Sequence, residues 1–110
     1  MTWKLAKAVF TGGSAEAQSL MGKRIKVRKP LDNAKTYDPV KPGGEGPVVS
    51  LRTGQEGFVG RVPDDAKDMI TVVFAHSAVK SASLDQLTRQ PFHAIRVNWP
   101  TFQENFEIDV

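Results

Sequence analysis

The residues to weigh first as carriers of chemistry are two histidines, His76 and His93, in a protein that has no cysteine. A zinc site usually needs three or four ligands, and neither histidine has a partner at metal-ligand spacing. Ser77 stands beside His76, but a nucleophile and its base are recognised by geometry rather than by adjacency in sequence. His76 therefore reads as a turn residue, and His93 as a strand residue facing solvent or a partner. Asp64, Asp65 and Asp68 crowd one polar turn, which lacks the glycine and the distal glutamate of a calcium loop. The run Gly43-Gly44-Glu45-Gly46 has the glycines of a phosphate cradle without the strand–loop–helix context or the Lys-Ser/Thr ending. Without a thiol there is no disulfide, no thiolate metal site and no thiol nucleophile. The expectation is a protein with no catalytic residues, no metal site and no cofactor.

Binding chemistry is better represented. In Gly22-Lys-Arg-Ile-Lys-Val-Arg-Lys29 the apolar Ile25 and Val27 alternate with Arg24, Lys26 and Arg28, as in a strand with one buried face. Along a flat strand those three cations recur every ~6–7 Å, a spacing comparable with successive phosphates of an extended nucleic acid. Lys29 and Arg52 extend the basic set. The competing reading is an exposed strand face whose cations discourage edge-to-edge pairing. Residues 1–52 hold ten basic and four acidic residues, net +6, and residues 53–110 hold five and eight, net −3. Such a polarity can attract nucleic acid, an anionic surface or an acidic partner. A second set of candidates is aromatic: Tyr37, Trp99, Phe102 and Phe106, of the residue types that anchor protein interfaces.

The elements that must position these residues centre on 48–87. Gly54 and Gly57 bracket a turn, Gly60 marks a bend or a close backbone approach, and proline fixes the start of the polar turn at 63–68. Ile70, Val72 and Phe74 then alternate with Met69, Thr71 and Val73, so Ile70, Val72 and Phe74 are the expected core face of a β-hairpin strand. Upstream, Trp3, Leu5 and the Val9-Phe10 pair suit an edge strand or a short helix, and Ser14 is placed to cap a short helix ending near Leu20 or Met21. Residues 31–47 read as a long loop rich in Pro, Gly and Asp/Asn, with Tyr37 at its centre as an anchor or a contact. Residues 79–83 suit a further short strand. Leu84-Asp-Gln-Leu87 suits one turn of 3₁₀ helix capped by Ser83 or Asp85. In Phe92-His-Ala-Ile-Arg-Val97, Phe92, Ala94 and Arg96 share one strand face, and His93, Ile95 and Val97 the other. Asn98-Trp-Pro100 reads as a turn, and the tail to Val110 as a segment laid over the barrel or onto a partner.

At 110 residues, 40% hydrophobic and net charge +3, the protein suits one domain with a modest core. The expected division is a barrel core at 22–98, an N-terminal extension at 1–21 and a C-terminal tail at 99–110. No apolar run approaches the ~18–20 residues needed to span a bilayer. Lys4 and Lys7 interrupt what would be a signal-peptide h-region, so a cytoplasmic protein is the default expectation.

The succession Gly22-x-x-Ile-x-Val27, loop, Leu51-x-x-Gly54-x-x-Gly57-x-Val59-x-x-Val62, polar turn, Ile70-x-Val-x-Phe74, Leu84-Asp-Gln-Leu87 resembles SH3-like barrels. It looks most like the accessory group that holds the nitrogen-fixation protein NifZ, the variable subunit of ferredoxin–thioredoxin reductase and the C-terminal domain of the nitrile hydratase β subunit. Thr36-Tyr37-x-Pro39 is similar to a Thr-Tyr-Pro element of NifZ, with one extra residue, and Gly54–Val62 resembles the KOW element of ribosomal and transcription factors. The likeness covers roughly residues 22–88 and is carried by glycines and core positions. It implies a mainly β fold, a small SH3-like barrel of about five strands with a short N-terminal helix and an extended C-terminal tail. Because such barrels host many roles, the functional expectation rests on the residues. The leading one is a non-catalytic accessory module docking on a partner protein through Tyr37, Trp99, Phe102 and Phe106. The alternative is a nucleic-acid-binding module using Arg24, Lys26, Arg28, Lys29 and Arg52. An enzyme is the third class, with no residues to assign to it.

Overall fold

The computed structural model describes residues 2–37, 44–62, 68–75 and 83–109. Among these residues, eight strands and four short helices follow in the order β1 (Trp3–Leu5), α1 (Ala6–Val9), α2 (Ser14–Ser19), β2 (Arg24–Val27), β3 (Leu31–Tyr37), β4 (Glu45–Leu51), β5 (Glu56–Val59), β6 (Met69–Ala75), α3 (Leu84–Thr88), β7 (Phe92–Asn98), α4 (Trp99–Asn105) and β8 (Phe106–Asp109). The fold is mainly β, as expected. The strands form one antiparallel sheet in the order β1-β8-β2-β5-β6-β7-β3-β4. That is eight strands rather than about five, and no pairing joins β1 to β4 among the described residues.

The core explains the curl of this sheet. Ile25, Val27, Val59, Ile70, Val72 and Phe74 are all buried in one cluster. The expected core face of β6 is thus the observed one, and each such side group adds about 1.5–3 kcal/mol by leaving water. Phe10 and Ile108 from one end of the sheet and Leu51 from the other belong to the same cluster, with Leu31, Ala34 and Val49 packed against it. The two ends of the sheet therefore bend toward a shared interior. Gly57 makes one bend possible, because a Cβ there would run into the Val73 carbonyl and lie 2.7 Å from the Phe74 ring. Its place is within β5, so its role is close approach, while Gly54 supplies the turn with φ at +90°.

Three sequence expectations change. First, the stretch expected as a loop holds strand at both ends: residues 31–37 and 45–51 pair as β3 and β4, with two register shifts, and 38–43 lie outside the described residues. Asn33 at φ +59° absorbs one extra residue in β3, the kind of irregularity that hides a strand from pattern reading. Second, the N-terminal extension holds two helices, not one, and its Ala6, Phe10, Ala17 and Leu20 are core residues. Gly13, not Ser14, occupies the N-cap of α2, and the Glu16 carboxylate reaches back to accept from the Thr11 amide at 2.9 Å and hydroxyl at 3.0 Å. Third, the C-terminal tail is α4 and β8. Asn98 caps α4 by accepting from the Thr101 amide at 2.9 Å, and Pro100 sits in the first turn, where it disrupts no helical bond.

Leu84-Asp-Gln-Leu87 lies in α3, where the Ser83 hydroxyl accepts from the Gln86 amide at 3.1 Å. Leu87 does not join the main interior. It packs with Phe58 and Val73 on the opposite side of β5 and β6, with Leu84 and Ala75 at the margin. The strand expected at 79–83 lies outside the described residues save for Ser83, as do the polar turn expected at 63–68 save for Asp68, and His76 with Ser77.

Candidate docking surface

The basic row is built by β2, and the tertiary structure gives each member a partner. Lys26 stands between Glu56 of β5 and Glu107 of β8 in the strand register, with its ammonium 3.8 Å from the Glu107 carboxylate and 4.4 Å from the Trp3 ring centre. Arg24 pairs with Glu56 at 3.8 Å and lies 5.1 Å from the Phe58 ring centre. Lys29 pairs with Glu104 at 3.6 Å, and Arg28 donates to the Glu104 carbonyl at 3.1 Å. The positive surplus of the first half thus meets the negative surplus of the second half across strands.

Only part of the set converges. The turn at 52–55 is held against the end of β2: Gly54 donates to the Val27 carbonyl at 2.8 Å, and the Thr53 hydroxyl donates to the Arg28 carbonyl at 3.5 Å. Arg28, Lys29 and the exposed Arg52 therefore share one corner of the molecule. Arg24 and Lys26 belong to the outer sheet face instead.

The aromatic candidates divide sharply. Phe102 and Phe106 are fully buried and stack at 5.6 Å between ring centres. Phe10 meets Phe102 edge-on at 5.7 Å, and Phe106 faces Phe74 at 6.4 Å. In this fold they are core residues and present no surface to a partner, which corrects the expectation for both. The cause is the return of the backbone after β7: α4 and β8 carry these rings under the sheet, and β8 pairs with both β1 and β2. Trp99 is half-buried and packs edge-on against Phe10 at 5.7 Å, and its indole nitrogen is buried without a hydrogen-bond partner.

Tyr37 stays at the surface. It ends β3, is half-buried, and carries the Arg96 guanidinium 3.8 Å above its ring centre, a geometry in which the cation meets the negative face of the ring. Gly44, at φ +72°, closes on the same ring, and a Cβ there would lie 2.6 Å from the Tyr37 Cε2. Thr36, one residue earlier, shares the core face with Ile95 of β7 and donates to the Pro47 carbonyl at 2.6 Å. Phe92 begins β7 on the same face as Arg96 and is 39% exposed. Four residues of strand separate Phe92 from Arg96 by about 13 Å, so Tyr37, Arg96 and Phe92 mark out one outer patch. Arg96 and Phe92 were on one face in the sequence pattern, but nothing there placed Tyr37 beside them. Val48 and Met21, 55% and 54% exposed, are the other large apolar residues at the surface among the described residues.

His93 is half-buried opposite Phe74. No group of three or more His, Cys, Asp or Glu residues suited to a metal occurs among the described residues. Likewise, no described helix is long and apolar enough to cross a membrane. Comparison with family models, curated proteins and solved structures found no match to this protein.

Proposed function

We propose that this protein is a non-catalytic accessory module, built on an SH3-like barrel, that docks on a partner protein or larger complex. The observation carrying this reading is the outer patch in which Arg96 lies on the Tyr37 ring with Phe92 exposed on the same face. Tyr and Arg are the types that dominate binding energy when an interface desolvates them. A rigid strand face presents them already ordered, which lowers the entropic cost of docking. The SH3-like part of the proposal is supported by β2, β5, β6 and β7 lying side by side in sequence order, and by β8 returning after the short α4 to the free side of β2. Glycine-kinked strands with such a return favour closure around a small interior. The contact surface is the β3–β7 face that carries Tyr37, Arg96 and Phe92.

The test is quantitative co-purification from the native host using tagged wild type, Tyr37→Ala and Phe92→Ser, with folding checked by thermal melting. Specific partners enriched by wild type should fall away in both variants while the melting profile of Phe92→Ser stays close to wild type. Equal recovery by all three folded proteins would sink the proposal.

A second reading, a nucleic-acid-binding module, is favoured by one observation: Arg28, Lys29 and Arg52 converge on one corner. Glu104 at 3.6 Å from Lys29 weakens the field there. This reading requires affinity that falls steeply with salt, as counterion release demands. Fluorescence anisotropy with mixed single- and double-stranded oligonucleotides at ~50 mM salt decides it: no detectable binding ends it.

A further inference from the structure

The sheet ends at β4, and no described strand covers the far side of that strand. Edges of this kind are normally blunted by charge, proline or a bulge. β4 carries a proline and a register shift near Pro47, but both act at one end. The Pro47 carbonyl faces inward, accepting from the Thr36 hydroxyl, so its missing amide hydrogen is not subtracted from the open side. Beyond it Val48 lies opposite Lys35 and Val49 opposite Ala34, and the second register shift, between Val49 and Leu51, is taken up by the extra residue in β3, so β4 itself keeps its pleat. Backbone groups of an antiparallel strand alternate in direction. Counting from the Pro47 carbonyl, which meets Thr36 of β3, alternation turns Val49 and Leu51 toward β3 and the amides and carbonyls of Val48 and Ser50 outward. Both residues are exposed, and no charged residue lies between Gly46 and Leu51.

We infer that this edge pairs with the same edge of a second copy of the protein, antiparallel about a two-fold axis at Val49. The register follows from the outward groups. Val48 and Ser50 are the two residues with free ladder positions, and centring on Val49 sets Val48 of each copy against Ser50 of the other. That arrangement makes about four backbone hydrogen bonds. It also sets Val49 against its own counterpart as a non-hydrogen-bonded pair, where side chains approach most closely, and brings Leu51 beside the partner's Pro47. Apolar meets apolar on the core side, since Val49 and Leu51 both belong to the packing around the main interior. Lys35 and its symmetry mate lie three strand spacings apart and two residues out of step, about 16 Å, which exceeds the screening length of about 8 Å at physiological salt. Their repulsion does not oppose the pairing. A self-complementary patch of this kind is what a two-fold dimer needs. Because only Pro47 to Leu51 contribute, the dimer forms at high concentration and dissociates on dilution. This inference is independent of the docking proposal, which uses the outer face of β3 and β7.

The experiment uses the intact protein. Sedimentation velocity across the micromolar to millimolar range should show a concentration-dependent dimer, with the Val48 and Ser50 amides gaining exchange protection as it forms. Ser50→Pro removes an outward donor without touching the inward ladder and should leave a monomer. Since the protein has no cysteine, single thiols report the register directly. Under mild oxidation Val49→Cys should cross-link roughly ten-fold or more faster than Thr88→Cys on the exposed side of α3, because pairing raises the local thiol concentration. A monomer at every concentration, or equal cross-linking of the two cysteine variants, overturns the inference. So does a dimer that Ser50→Pro leaves intact while its fold is preserved. The two cysteine variants decide the matter even if Ser50→Pro fails to fold.

Discussion

The C-terminal segment 99–109 and the hairpin 31–51 look alike in sequence: each holds aromatic or apolar residues among prolines and polar residues, with no clean alternation. The structure sends them opposite ways. The C-terminal segment becomes α4 and a strand between β1 and β2, and its phenylalanines fill the interior. The hairpin becomes the free end of the sheet and keeps Tyr37 and Val48 at the surface. Aromatic content alone therefore says little about whether a segment binds a partner. What separates the two is the number of neighbours: among the described residues β8 has a strand on both sides, and β4 on only one.

This contrast can be broken in stability measurements. Phe106→Ala removes a fully buried ring from the C-terminal segment and should cost about 3–5 kcal/mol in denaturant unfolding, whereas Val48→Ser at the edge should stay within about 0.5 kcal/mol. Comparable losses at the two sites would mean that the tail is not the interior element described above. Next in size is Gly46→Ala in the hairpin. Its new Cβ would strike the Thr36 hydroxyl and disturb the Thr36–Pro47 hydrogen bond, for about 1–3 kcal/mol by overpacking. Retained stability would show that the β3–β4 bulge yields freely.

Asn98→Ala should cost about 1 kcal/mol, since it removes the side-chain acceptor that starts α4, while Asn98→Asp should keep most of the wild-type melting temperature. Smallest is the coupling between Lys26 and Glu107. Both side chains are roughly a quarter exposed, so a double-mutant cycle should return about 0.2–1 kcal/mol and shrink as salt is added. A coupling near zero, with Lys26→Ala alone still destabilising, would show that the Trp3 ring rather than the carboxylate holds the ammonium in place.

Where alternation is regular, the sequence pattern and the structure agree. β2, β6 and β7 keep the faces that Ile25 and Val27, Ile70, Val72 and Phe74, and Ile95 and Val97 imply. They part where the backbone departs from the ideal pleat. Asn33 in the left-handed region and the register shifts beside it break the period of two, so the hairpin reads as a loop. They part again at Phe102 and Phe106, because a seven-residue helix followed by a four-residue strand is too short to show either period. Of the candidate site, Tyr37 is legible as an aromatic in an otherwise polar stretch. Its Arg96 partner is not, because it comes from a strand far along the sequence.

What the sequence determines by itself is the local alternation of apolar and polar residues, and with it the mainly β character and the core face of each regular strand. That follows from pleat geometry, which is set within a few residues. Which strands become neighbours was decided only by tertiary packing. Burying Phe10, Phe102 and Phe106 together required the last strand to lie against β1 and β2. That same choice placed Glu107 beside Lys26 and Glu104 beside Lys29, turning a bare basic row into a matched one.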